Sequence, residues 1–196
     1  MKSKTLFVAF STQKGGVGKT TFTVLAASYL HYLKGYNVAV VDCDYPQHSI
    51  TAMRKRDSEL INNNQNYKML AYRQFKTLNK KAYPVLCATS EDAVETAIDY
   101  IKNETDETDI VFFDLPGTVN SEGVISSLAA MDYIFTPITA DRVVLESTLS
   151  FAMTIDSLLV QNSEFNLKGL HLFWNQVDKR ERTDLYEVYE QTINAL

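Results

Sequence analysis

Apolar runs and helix-spaced apolar residues take turns along the whole chain. Thr5 to Ser11 is the kind of run that forms a strand buried on both faces. Lys19 to Lys34 then places Val24, Ala27, Leu30 and Leu33 at helical spacing, with a stop at Gly35. Asn37 to Asp42 predicts a second strand, followed by a Pro-containing turn and a polar stretch rich in Asn around Asn62 to Asn66. Pro84 to Ala88 predicts a third strand, and Ser90, followed by Glu91 and Asp92, has the chemistry of a helix N-cap. Asp109 to Asp114 and Tyr133 to Pro137 predict two more strands, Val143 to Gln161 a helix, Gly169 to Asn175 a last strand and Thr183 to Ala195 a last helix. Strands that alternate with helices predict an α/β fold whose mostly parallel sheet is covered by helices on both faces. In such folds ligands sit beyond the carboxyl ends of the strands, so the chemistry is expected just after Ser11, Val41, Phe113, Ile134 and Trp174.

Composition fits one globular domain spanning residues 1 to 196, with 45% hydrophobic and 22% charged residues. Seven glycines without a repeating period exclude collagen-like and solenoid architectures, and the aliphatic and aromatic content excludes disorder. The two cysteines, Cys43 and Cys87, form no CxxC pair and each sits in an apolar run, which predicts small core residues rather than a zinc site or a disulfide framework. The apolar run after Met1 is too short for a signal peptide, and no later uninterrupted apolar stretch is long enough to span a bilayer, so a cytoplasmic location is expected and no membrane partner.

A net charge of -5 argues against a surface that is basic all over. The average conceals a division, because residues 54 to 81 carry +6 and the remainder -11. Drawn as a helix, this segment puts Tyr67, Ala71, Phe75 and Leu78 on one face and Arg73, Lys76 and Lys80 on the other. The second face reads either as an ordinary solvated surface or as a contact for DNA phosphates or an acidic partner.

The first strand runs into Gln13-Lys14-Gly15-Gly16-Val17-Gly18-Lys19-Thr20-Thr21, which opens directly into a helix. Glycines let successive N–H groups turn inward toward phosphate oxygens, and the helix N-terminus adds positive potential there. Lys19 can reach the β- and γ-phosphates and the Thr20 hydroxyl can hold Mg²⁺. The G-x-x-x-x-G-K-[ST] pattern would have Gly at position 13; this chain has Gln13 and a further lysine, Lys14. After the second strand stands Asp42-Cys43-Asp44-Tyr45-Pro46-Gln47, whose two carboxylates are expected to face different ways and so to serve different roles, unless Asp42 or Gln47 merely caps the turn at Pro46. Ile110 to Asp114, an apolar strand ending in a carboxylate, fits the Walker B pattern, in which the acid supports the metal.

Lys14-Gly-Gly-Val-Gly-Lys19-Thr-Thr resembles the deviant phosphate loop of the ParA/MinD family of P-loop ATPases, and lies closest to ParA-type partitioning ATPases. The resemblance implies an ATP hydrolase, slow and stimulated by a partner, that uses ATP and Mg²⁺ and partitions or positions plasmid, chromosomal or mobile DNA. It implies a homodimer with ATP sandwiched between its halves, in which Lys14 contacts the partner's nucleotide. By the same resemblance, Lys14, Lys19 and Asp44 are catalytic, with Asp44 orienting water. Residues 14 to 21 (Lys14, Gly15, Gly16, Val17, Gly18, Lys19, Thr20 and Thr21) and Asn175 bind the nucleotide, Asn175 by reading adenine. Thr20, Asp42 and Asp114 stand at the metal. A centromere-binding adaptor of ParB type and non-specific DNA are the implied partners. The family's C-terminal portion, which carries its usual DNA-binding helices, is expected to be lacking after Leu196.

Two alternatives stay open. Asn175-Gln176-Val177-Asp178 is one change from the Asn-Lys-x-Asp that reads guanine in GTPases, and Asp114-Leu115-Pro116-Gly117 fits their Asp-x-x-Gly, although Lys14 and the Asp42/Asp44 pair favour the ATPase branch. The chain could also be a nucleotide-switched binding module in which hydrolysis is incidental.

Overall fold

The computed structural model describes residues 4–117, 122–161, 165, 167–178 and 183–194. Strands β1 (Leu6–Phe10), β2 (Val38–Asp42), β3 (Val85–Cys87), β4 (Ile110–Asp114), β5 (Tyr133–Ile138) and β6 (Gly169–Trp174) form one six-stranded sheet in the order β3-β2-β4-β1-β5-β6. Every pairing is parallel, as expected when helical crossovers connect the strands. All carboxyl ends therefore lie along one edge.

Helices α1 (Lys19–Ser28), α2 (Ser49–Asn63), α3 (Gln65–Leu78), α4 (Ala93–Asn103), α5 (Glu122–Ala129), α6 (Arg142–Ile155) and α7 (Thr183–Asn194) connect or flank the strands. Alternation along the strands separates two cores. Ala9, Ala39, Val41, Val111 and Phe113 face Ala93 and Ala97 of α4, Val124 and Leu128 of α5, and Phe151 and Ile155 of α6. Val8, Phe10, Val38, Val40 and Phe112 face Ala27 of α1 and Ile50 of α2. Phe10, at the end of β1, is the hub of the second core, with its ring centroid 5.7 Å from Phe22, 6.1 Å from Phe112 and 5.6 Å from Phe135. The bed beneath the phosphate loop is thus aromatic and closely packed.

Several expectations change at the local level. The Asn-rich stretch interrupts a helix at one residue only: Asn64 is extended, and its side-chain oxygen accepts from the N–H groups of Asn66 and Tyr67 at 2.9 and 3.3 Å. That cap ends α2 and starts α3, so residues 54 to 81 are two helices and a tail rather than one helix. Ser90 does not cap α4; it is buried and its carbonyl accepts the Ser127 hydroxyl at 2.7 Å, while α4 begins after Asp92, which is held by Thr89. Cys43 is buried, but Cys87 is exposed because β3 is short and lies at the sheet edge, and its sulfur stands 3.3 Å from Nδ1 of His48. Helix α5 follows no periodicity strong enough to announce it in eight residues.

Helix α1 continues as a π-turn over Tyr29–Leu33, and Gly35, at φ +82°, releases the chain toward β2. Helix α6 continues likewise over Asp156–Val160. Together residues 142 to 160 have a mean hydropathy of 1.6 and the length of a membrane span, although Arg142, Glu146, Asp156 and several Ser and Thr residues interrupt the apolar run. Their apolar character has a packing cause, since Leu145, Phe151, Ala152, Ile155 and Leu159 are buried, all but Leu145 and Ala152 in the first core. Helix α7 meets the sheet edge through Trp174, whose indole N–H donates to Glu190 at 3.0 Å and whose ring lies 5.0 Å from that of Tyr186.

Candidate nucleotide site

Loops after β1, β2 and β4 converge on a cleft of about 510 Å³ at the carboxyl edge of the sheet. The connection from β1 through α1 reaches β2 across β4, which brings these three loops together. Gly15, Gly16, Gly18, Lys19, Thr20 and Thr21 line the cleft from the first loop, Asp44, Gln47 and Ser49 from the second, and Leu115 and Gly117 from the third.

Gly16 and Gly18 adopt φ of +77° and +96°, which L side chains rarely tolerate, and these turns let the loop fold back onto α1. Gly18 is the N-cap of α1, so no side chain satisfies the first N–H groups of the helix, and its first turn contains no acid. An uncapped N-terminus in a glycine-rich loop is an anion site. Val17 is buried and anchors the loop. The start of the loop is pinned by Thr12, whose hydroxyl lies 3.2 Å from that of Thr148 on α6, a tie with no signal in the sequence.

Lys19 curls back over the loop, and its ammonium donates to the Lys14 carbonyl at 3.0 Å. Burial lowers its pKa, against the opposing pull of Asp114 and Asp44. Gly117 lies close above it: a Cβ there would stand 3.0 Å from the Lys19 nitrogen, so a side chain at this position would have to displace the lysine tip. Lys14 is half-buried and is not among the residues that line the cleft.

Asp42 and Asp114 are register partners on neighbouring strands, and both are buried. Burial raises the Asp114 pKa to about 6, with the nearby Thr20 hydroxyl and Lys19 opposing the rise and the charges of Asp42 and Asp44 adding to it. One Asp114 oxygen lies 3.5 Å from the Thr23 hydroxyl, and the other has no hydrogen-bond partner. An orphaned buried carboxylate oxygen beside Thr20 and a basic loop fits a hard divalent cation, which would be held from Thr20 and Asp114.

Asp42 does something different. One of its oxygens accepts the Thr51 N–H at 2.8 Å, in the first turn of α2, while the other, like one oxygen of Asp114, has no hydrogen-bond partner; neither Asp42 nor Asp114 is among the residues that line the cleft. Asp42 thus tethers the first turn of α2 rather than the turn at Pro46, whereas Asp44 lines the cleft. The expected opposition of the two carboxylates is not a property of their spacing, since residues two apart on a strand share a face. They diverge because β2 ends at Asp42 and the chain then turns through Pro46. Despite the inserted Tyr45, Gln47 lines the cleft, together with Ser49, which sequence reasoning missed.

Asn175 follows β6, and its side-chain amide donates to the Val17 carbonyl at 2.8 Å, while Gln176 reaches the Gly16 carbonyl at 3.4 Å. In this arrangement the pair braces the phosphate loop from outside the cleft. The Asp178 N–H donates to the Tyr186 hydroxyl at 3.3 Å.

The basic segment lies away from the cleft. Arg73 and Lys76 are exposed on α3, but Lys80 is not their companion. Helix α3 ends at Leu78, Asn79 turns with φ +49°, and the Lys80 ammonium donates to the Tyr36 carbonyl at 2.7 Å and to the Asn37 side chain at 2.9 Å. Lys80 fastens the end of α3 to the entry of β2, which removes it from the expected contact face.

Residues 8–195 match the CobQ/CobB/MinD/ParA nucleotide binding domain. The chain is 27% identical over 170 residues to the chromosome-partitioning ATPase Soj of Thermus thermophilus, an overlap of 81% of this chain and 64% of Soj. It therefore spans less than two thirds of the length of that relative. A plasmid partition protein from Borrelia burgdorferi has a similar solved structure, with a TM-score of 0.67 at 19% identity over 99% of this chain and 87% of that one. The pNOB8 ParA bound to nonspecific DNA is similar with a TM-score of 0.58 at 14% identity, over 97% and 76% of the two chains. A glycine loop at an uncapped helix, a lysine above it and a buried acid across from it thus belong to a recognised kind of domain, and the chain is a member of the ParA/MinD family of P-loop ATPases.

Proposed function

We propose that this chain is a ParA-type ATPase that binds Mg-ATP in the cleft after β1, dimerises around it and hydrolyses it slowly to partition or position DNA. The observation that carries this reading is the uncapped α1 N-terminus within a left-handed glycine loop, with Lys19 folded over it and an unpartnered Asp114 oxygen at the end of β4. The loop N–H groups and Lys19 bind phosphate oxygens, and Thr20 and Asp114 hold the metal, which when bound supplies charge neutralisation for the phosphates. Asp44 orients water from the second loop. Lys14, which does not line its own cleft, acts in the partner's site of the dimer in this reading. Asp42 supports the site indirectly by fixing α2, and Asn175 bounds it on the side where the base would lie.

ATP rather than GTP is the nucleotide in this reading, which Lys14 and the family support. The partners are a second copy, a centromere-binding adaptor of ParB type and non-specific DNA, in a cytoplasmic setting that suits two free cysteines. The test compares ATP and GTP affinity, and ATP turnover with and without DNA and an adaptor. Lys19→Ala should abolish nucleotide binding. A clear preference for GTP would overturn the choice of base, and turnover indifferent to DNA and adaptor would favour a binding module with incidental hydrolysis.

A further inference from the structure

Between Glu59 and Glu91 the chain contains Lys68, Arg73, Lys76, Lys80 and Lys81 and no acidic residue. The structure sorts these cations. Lys80 is tied to Tyr36 and Asn37, and the preceding Arg54 and Arg56 are engaged by the Tyr83 ring and by Asp57. Lys68, Arg73 and Lys76 remain exposed on α3 and form no ion pair among the described residues. Helix α3 buries none of its side chains fully and leaves Tyr72 60% and Met69 44% exposed. At helical spacing, Lys68, Tyr72, Lys76, Met69 and Arg73 share an outer arc of about 140°. The Lys76 ammonium stands 5.7 Å from the centre of the Tyr72 ring. Lys68 and Lys76 are separated by about 12 Å of helix rise, the axial length of three to four phosphates on one strand.

We propose that this outer arc of α3 is a docking surface for the phosphate backbone of duplex DNA. Lys68, Arg73 and Lys76 meet phosphates, and Tyr72 packs against the sugar edge between them. Charge complementarity selects a polyanion. The order of residues around the helix selects nucleic acid over lipid: a helix lying on a bilayer keeps its apolar arc free of cations, whereas here Lys76 stands between Tyr72 and Met69 in the middle of the arc. The surface deepens the reading of a DNA-positioning ATPase and rests on it for its purpose, but it requires nothing of the nucleotide cleft.

The experiment titrates a fluorescent random-sequence duplex with the full chain, with and without ATP, across a salt series. The wild type is compared with Lys68→Ala/Arg73→Ala/Lys76→Ala and with Lys80→Ala, and binding of a fluorescent ATP analogue is measured in parallel. Each cation withdrawn from a phosphate should reduce the slope of log affinity against log salt by about 0.9, so the slope of the triple variant should fall by about 2.7 and its binding should weaken at least about tenfold at low salt. Lys80→Ala should keep the full slope. An unchanged slope in the triple variant, or no duplex binding by the wild type under either condition, overturns the surface whatever the cleft does. Tighter binding to phosphatidylglycerol vesicles than to duplex, abolished in Tyr72→Ala, also overturns it, in favour of a lipid surface. Failure to bind the ATP analogue while the salt slopes behave as stated overturns the ATPase reading alone.

Discussion

Asp114 should destabilise the free protein that it equips for binding. Its carboxyl is buried, only 1% exposed, with one oxygen unpartnered, and its pKa rises from 3.8 to about 6. A folded-state pKa above the unfolded one means that the folded protein holds the proton more tightly. Stability therefore falls as pH rises from about 4 through 6, and the full cost is present above that window. The rise corresponds to about 3 kcal/mol at about 1.4 kcal/mol per tenfold change in proton affinity. Asp114→Asn keeps the shape and removes the charge. At pH 8, without nucleotide or metal, the variant should be more stable than the wild type by about 3 kcal/mol, or about 6 °C or more in Tm for a domain of this size. The advantage should shrink toward zero near pH 4, where both side chains are neutral. Thermal and urea unfolding across this pH range provide the assay. Mg-ATP should stabilise the wild type more than the variant, because only the wild type carries the acid that faces the cation. An Asn variant no more stable than the wild type at pH 8, or a difference that does not change with pH, would refute the account of a carboxylate kept charged at a cost.

Asp44→Ala should trap an ATP-bound dimer, visible by size-exclusion chromatography with ATP; normal turnover in that variant would mean that water is positioned by another group. Asn64→Ala removes the cap of α3 and should cost about 1 kcal/mol, with a parallel decrease in helical circular dichroism; unchanged stability would show that α3 does not depend on its cap. His31 is buried, its Nδ1 facing the Val38 N–H and its Nε2 the Lys81 carbonyl, and burial lowers its pKa below 6.5. The unfolded chain then takes up the proton first, so the His31 contribution to stability is present above pH 6.5 and disappears as pH falls below it. Comparing Tm with pH in the wild type and in His31→Gln isolates this dependence, and parallel curves would disprove it.

The sequence by itself determined the order of elements, the parallel α/β class and the phosphate loop, because each is written in adjacent residues. Two-sided apolar runs specify central strands, and Lys14 to Thr21 carries its chemistry in its own backbone. It also located Asp114 at the end of β4 and Asp44 just beyond the end of β2. What it left undecided were properties that belong to neighbours in space. Ser90 has the chemistry of a cap, but it is buried in the fold and α4 begins only after Asp92. Lys80 has the charge of a DNA contact, but Tyr36 and Asn37 lie within its reach. Asp42 differs from Asp44 because Thr51 turns back toward it, and Cys87 is exposed because its strand happens to be an edge. The bracing of the loop by Thr148 and Asn175 spans 136 and 158 residues of chain, which no local pattern encodes. Periodicity and turn chemistry act over a few residues, so they specify elements; a polar side chain acquires its role from whichever group the fold sets beside it.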